Sequence, residues 1–587
     1  MKLNLRLAAA VVSAGLAIPA QPPSRLGIFD IYEQNRAKGV PNFVTEDFLM
    51  ASYWLILSDA ITQYEETKAA PALNTLLAAL MADPKLDPAN QQFLAIVQAL
   101  LGGKSQAGSE IADAELKRVN DAAGPAQSDL FRQQIDYSQF KVRGKYTRTE
   151  AMRRYFVASK LASTVLFPVM ESAATGITAA DADELTRRAL DLARATEASE
   201  AATKAYTELT SGLEFLFGPA DDLTIEHYRK QAGKSPSAAR KDLLNLDLRP
   251  SVISIIVDTL RLEKGISVHD VATGWRLLPQ RFTADSAAFQ ELVFDKVKGY
   301  QGAGDPFTSG SVNGSKVKVF PTALELMAIQ GSRLAESSLQ SSGDTNYQGY
   351  AAARARASKL MSRATGLNAL HMAFLKKGFA DAGRDHLNSA LAFWTQDRYS
   401  SILYAKQSYT AVGKGMALAA ERAGAWIDPR PDSFQGLAEL ADVVGKQTGS
   451  ATMSAFAKEA TRCAAIAAGA ARTKVLSKED ENYLNGLDLV LFELTGRKDT
   501  PIVVDVHTDG NSGTVLEEAI GFAVPASQGK ARGGRASHYE FKHPMQDRLT
   551  DDAWIQMIQD GKLPAVNAIA AKEKSKIGSV FRRGKQK

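Results

Sequence analysis

Between Pro501 and Arg548 the chain reads PIVVDVHTDGNSGTVLEEAIG, a Gly/Arg-rich turn, and RASHYEFKHPMQDR, which places His507, His538 and His543 close in sequence to Asp505, Asp509, Glu517, Glu518 and Glu540. Imidazole nitrogens combined with carboxylate oxygens are the ligand chemistry of zinc, manganese or iron. Ile502 to Val506 reads as a strand, and strand side chains alternate. Asp505, His507 and Asp509 are therefore expected on one face, with Val504 and Val506 on the other. Gly510 to Gly513 is turn chemistry, VLEEAIGFAV is a second strand or a short helix, and SHYEF is a third strand in which His538 and Glu540 share a face. Two neighbouring strands would then bring His507, Asp509, His538 and Glu540 around one divalent metal, with Asp505 and Glu517 as further ligands. The competing account is structural, and the sequence leans toward it: the same groups hydrogen-bond turn amides and pair with Arg532, Arg535 and Arg548. No His-Glu-x-x-His, EF-hand spacing, G-x-S-x-G elbow, phosphate-binding loop or dinucleotide fingerprint accompanies the cluster, so no reaction is assigned by motif.

The elements that must position this stretch are mostly helical. At 587 residues, with 45% apolar and 23% charged side chains, the chain exceeds the ~250–300 residues at which one core stops growing. A mainly α, two-lobed globular protein with a small β element near 500–545 is expected. Helices are read at 45–68 behind Thr45 as N-cap, in PALNTLLAALMADPKL and NQQFLAIVQALL up to Gly102-Gly103, behind Thr147 or Thr149, and over 181–215 to the stop at Gly218-Pro219. SVISIIVDTL at 251–260 reads as a strand. GWRLLPQRFT is an extended entry to a helix capped at Thr283 or Asp285. The Gly/Ser-rich stretch 301–319 reads as a long surface loop dividing an N-terminal lobe, 21–300, from a C-terminal helical lobe, 320–499. The β-containing segment, 500–560, and a basic tail, 561–587, follow.

Residues 1–20 have another purpose. MKLNLR is a basic start and LAAAVVSAGLAIPA a fourteen-residue apolar run, shorter than the ~20 residues needed to cross a bilayer. A signal peptide cut after Ala20 is expected, giving a periplasmic or secreted protein with no transmembrane segment in the mature chain and a place in the cell envelope. Removing Lys2 and Arg6 takes the net charge from +5 to +3, too small a surplus for a nucleic-acid partner. Cys463 is the only cysteine, so no internal disulfide forms; it reads as a buried small side chain. Arg143, Lys145, Arg153 and Arg154 could hold an anion or be paired and solvated. Trp394, Ile402, Leu403, Lys406 and Tyr409 read as one packed stripe of a helix, and His269, His371 and His386 as isolated, exposed or capping residues.

Five stretches in order, GVPNFVTEDFLMASYW, KVRGKYTRTEAMRRYF, DHLNSALAFWTQDRYSSILYAKQSYT, VVDVHTDGNSGTVLEEAIG and SHYEFKHPMQDRLTDDAW, resemble a mostly exported bacterial family catalogued only as a domain of unknown function. The resemblance implies a shared helical fold and an exported location, without a mechanism. Members usually carry Arg-His-Asp-Thr where this chain has Arg398-Tyr399-Ser400-Ser401, and an aromatic pair where it has His538-Tyr539. Two function classes follow: a non-catalytic envelope binding or scaffolding protein, or a metal-dependent hydrolase or oxidoreductase using the 505–540 cluster.

Overall fold

The computed structural model describes residues 25–171, 177–246, 274–294, 296–312, 314–380, 383–404, 424–509 and 512–564. The expected signal peptide, the strand at 251–260, His269, Lys406, Tyr409 and the end of the basic tail lie outside them. Helices dominate, with small sheets of two or three strands between them; the mainly α expectation holds.

The helix Glu46–Tyr64 shows how the fold is built. Thr45 caps it, its hydroxyl accepting the Phe48 N–H at 3.3 Å, and Glu46 and Asp47 fill the first turn where the helix dipole favours acids. Its buried residues lie all around the helix rather than along one stripe, as expected of an element enclosed on all sides. Pro431–Thr448, Ala451–Thr473, Arg384–Ser400 and Lys478–Thr495 pack around it. Trp54 meets Phe393 at 4.9 Å between ring centroids and His371 at 4.8 Å. The continuous apolar core built on this helix runs from Ile28 to Ile558.

The chain leaves Tyr64 through a π-turn, Glu65–Ala69, and continues as Ala70–Met81. Asp87 caps Pro88–Gly102, and Gly103 ends it at φ +67°, a left-handed conformation that glycine adopts without a Cβ clash. Thr149, rather than Thr147, caps Glu150–Thr164. The run read over 181–215 is two helices, Ala179–Ala198 and Glu200–Phe217, because Ser199 ends one and caps the other. Gly274–Trp275 pairs with Phe167–Pro168 before the helix Ala284–Glu291, which begins after Thr283.

The 301–319 stretch departs from a plain loop. Ser309–Val312 and Ser315–Lys318 pair as an antiparallel hairpin. It is fastened by a small cluster of Val317, Val319 and Phe320 and by a buried Lys318–Glu325 ion pair at 3.0 Å. Among the described residues no helix is long and apolar enough to cross a membrane.

Candidate functional site

The 500–545 segment forms a three-stranded antiparallel sheet in which Thr514–Ile520 is central, flanked by Ile502–Asp509 and Tyr539–Pro544. VLEEAI is thus strand rather than helix. The strands carrying His507 and Glu540 are not neighbours, contrary to the expectation from sequence, because the Leu516 to Glu518 strand separates them. The alternation also fails at one point. Leu516 pairs with His507 but Glu517 pairs with Asp505, so Val506 is an extra residue, a β-bulge. A one-residue shift moves side chains to the other face. Asp505 and Glu517 therefore share one face, while His507 and Asp509 fall with Val504, Glu518 and Glu540 on the other.

On the Asp505 face, Arg548 Nη1 donates to Asp505 Oδ2 at 2.6 Å and Arg143 Nη1 lies 2.9 Å from the same oxygen. The Glu517 carboxyl hydrogen-bonds Asp505. Burial raises the Asp505 pKa, but Arg143, Arg548 and the Glu517 bond outweigh it and hold the group ionised, well below the usual carboxylate range. Glu517 goes the other way: burial and the Asp505 charge push it well above that range, so it carries the proton. Lys160, on Glu150–Thr164, adds a third cation. It is half-buried and makes no hydrogen bond or ion pair through its side chain with the described residues. Burial, then the Arg143 and Arg548 charges, lower its pKa to about 7, against Asp136 and Asp505. Asp136 lies 3.9 Å from Arg548.

On the opposite face, His538 Nε2 lies 2.7 Å from Glu518 Oε2. Glu540 accepts the Ala323 N–H at 2.9 Å at the start of Ala323–Ile329, and Phe320 lies edge-on to His507, centroids 6.4 Å apart. Burial depresses His538 to about 4 and, with Arg398 and Arg548, His507 well below its ordinary value, so both imidazoles are neutral. Glu518 is raised by burial and protonated. Asp509 turns back on its own strand end, accepting from Ser512 Oγ at 2.6 Å. His543 Nε2 lies 2.7 Å from Asp547 O.

The structure thus brings Asp505 to Glu517, and Glu518 to His538 and Glu540, but it does not gather His507, Asp509, His538 and Glu540. Among the described residues no group of three or more His, Cys, Asp or Glu side chains is placed to hold a metal ion. Of the expected arginine partners Arg548 takes Asp505, whereas Arg535 pairs with Asp428 and Asp47.

Sequence reasoning missed Lys160, which no motif marks. Of the four cations near Gly144, Arg143 takes Asp505 and Lys145 takes the buried Glu65, while Arg153 donates to Thr147 O at 2.8 Å and Arg154 pairs with Glu150 at 3.1 Å. His371 and His386 are not isolated. His371 is buried between Tyr53 Oη at 2.9 Å and Asp397 Oδ1 at 2.8 Å, and His386 pairs with Glu46. Cys463 is buried, as read from the sequence, and burial pushes its thiol up to about 12. Trp394, Ile402 and Leu403 are core residues.

In comparisons with known proteins, a family model described as a protein of unknown function (DUF3160) matches residues 9–368 and 382–568. No curated protein and no solved structure matches the chain.

Proposed function

We propose that this chain, which belongs to the DUF3160 family of proteins of unknown function, acts outside the cytoplasm as a binding protein for a small anionic ligand held at Lys160. The carrying observation is the charge arrangement beside the sheet. With Glu517 protonated, the cations Arg143, Arg548 and Lys160 face the carboxylates Asp505 and Asp136, and the Lys160 ammonium makes no ion pair with the described residues. A positive charge drawn out of water without a counter-ion is costly, and an anion at that point offsets the cost. Arg143 and Arg548 are fixed by Asp505, so the sheet acts as a rigid backing that sets where the anion sits. The export reading rests on the basic start and apolar run of residues 1–20.

Two experiments test this. Titrating the protein with inorganic phosphate at pH 6 should give saturable binding that Lys160→Met abolishes while leaving the fold intact by circular dichroism. Saturable binding of undiminished affinity in Lys160→Met would remove the reading. Expressed with residues 1–20, the protein should be recovered outside the cytoplasm and lack them; recovery of the full-length chain in the cytoplasm would sink the export reading.

A further inference from the structure

Arg281 lies in the connection between Gly274–Trp275 and Ala284–Glu291, and it is only 2% exposed. Its backbone N–H donates to Tyr404 O at 3.0 Å. Its Nη1 reaches Gly218 O at 3.5 Å, beyond good hydrogen-bond length, whereas Nε and Nη2 have no hydrogen-bond partner. Arg281 makes no ion pair with the described residues; the titratable groups acting on it are Tyr206, Glu214, Tyr404 and Tyr64. Glu214, the only carboxylate among them, is exposed. A guanidinium does not shed its proton to escape burial, so it needs a counter-charge.

A second orphan lies within reach of its charge. Tyr64, half-buried at the end of Glu46–Tyr64, has a buried hydroxyl with no hydrogen-bond partner, and the Arg281 charge acts on it. The hydroxyl sits where only glycine leaves room: a Cβ on Gly212 would lie 2.1 Å from Tyr64 Oη. Nε–H and one Nη2–H lie side by side on one edge of the planar guanidinium, the edge that takes a carboxylate by two parallel hydrogen bonds. Both of those donors are the ones left unused, and the tyrosine hydroxyl supplies a third. We infer that Arg281 and Tyr64 form a binding site for the carboxylate group of a small molecule, distinct from the Lys160 centre.

The test is made on full-length mature protein carrying Lys160→Met, so that acetate is read at Arg281 alone. Melting temperature is followed against sodium acetate, with sodium chloride at matched ionic strength as reference. A saturable rise with acetate above the chloride curve is expected, with affinity weakened about tenfold in Tyr64→Phe and the response lost in Arg281→Lys, which keeps the charge but not the two-pronged edge. Glu214→Gln should leave the response unchanged. An acetate curve that follows chloride overturns the inference, as does an undiminished response in Tyr64→Phe, which removes only the hydroxyl oxygen and keeps the ring should Arg281→Lys fail to fold. Appearance of the acetate response only in Glu214→Gln overturns it too, since Glu214 would then be the resident counter-ion.

Discussion

Asp505 and Glu517 face each other across paired strands and hold one proton between them, Asp505 ionised against Arg143 and Arg548 and Glu517 neutral. The two carboxyls have similar burial and opposite charge states because the guanidinia reach only one of them directly. The sheet therefore carries an internal ion triad of residues 143, 505 and 548 and a neutral acid as its hydrogen-bonding complement.

This arrangement makes the two carboxyls respond differently to amide substitution. Asp505→Asn leaves two buried guanidinia without their counter-charge and should cost about 3–5 kcal/mol. Glu517→Gln keeps a neutral donor of the same shape and should cost about 1 kcal/mol or less at neutral pH. The pH dependence distinguishes them further. A raised folded pKa means that Glu517 contributes stability fully below its unfolded value, near ~4.3, and loses it as pH rises toward the folded value. Urea denaturation from pH 5 to 8 should show the advantage of wild type over Glu517→Gln shrinking as pH rises. A constant difference would mean that Glu517 is not protonated in the fold.

His538 offers the opposite sign. Burial depresses it to about 4, so its contribution is complete above the unfolded value of ~6.5 and is lost as pH falls from there toward 4. Between pH 6.5 and 4 wild type should lose about 3 kcal/mol more than His538→Gln, which keeps polar contact with Glu518 but cannot titrate. Imidazole resonances of His538 unmoved down to pH 5 in NMR would agree; a midpoint near 6.5 would not.

The caps at Thr45 and Thr149 and the stop at Gly103 were legible because each acts on backbone groups within a few residues. The strands around Asp505 and Glu540 were legible from alternation. What stayed hidden depends on distant partners. Arg143 meets Asp505, and His371 meets Tyr53, across hundreds of residues, and a charge deprived of a partner, as at Lys160 and Arg281, has no local signature at all. The bulge was hidden for another reason: Val506 looks like any inward valine, and only the pairing register of the neighbouring strand shows that it is extra.

A third prediction concerns the π-turn Glu65–Ala69. Glu65 is buried against the Lys145 ammonium and accepts from Tyr146 Oη at 2.7 Å. Lys145→Met should destabilise by about 3–5 kcal/mol, because a buried carboxylate is left with the tyrosine alone. Adding Glu65→Gln should restore about 2 kcal/mol, since neutral partners tolerate burial together better than one charge does. The double-mutant cycle reads the coupling; additive losses would show that the pair does not act as a unit.

The bulge itself can be tested by separating the loss of a side chain from the loss of a register position. Val506 is fully buried, so Val506→Ala should cost about 2 kcal/mol through lost packing alone. Deleting Val506 does something different. It leaves Asp505 and His507 as chain neighbours, so strict alternation from Ile502 to Asp509 keeps Asp505 opposite Glu517 and His507 opposite Leu516, each on its own face. The buried ion triad and the imidazole then stay in place, and the deletion should cost about what Val506→Ala costs, ~2 kcal/mol, in chemical denaturation. A loss exceeding that of Val506→Ala by about 3–5 kcal/mol, the cost of unpairing a buried charge, would show that removing the extra residue shifts the register instead of regularising it.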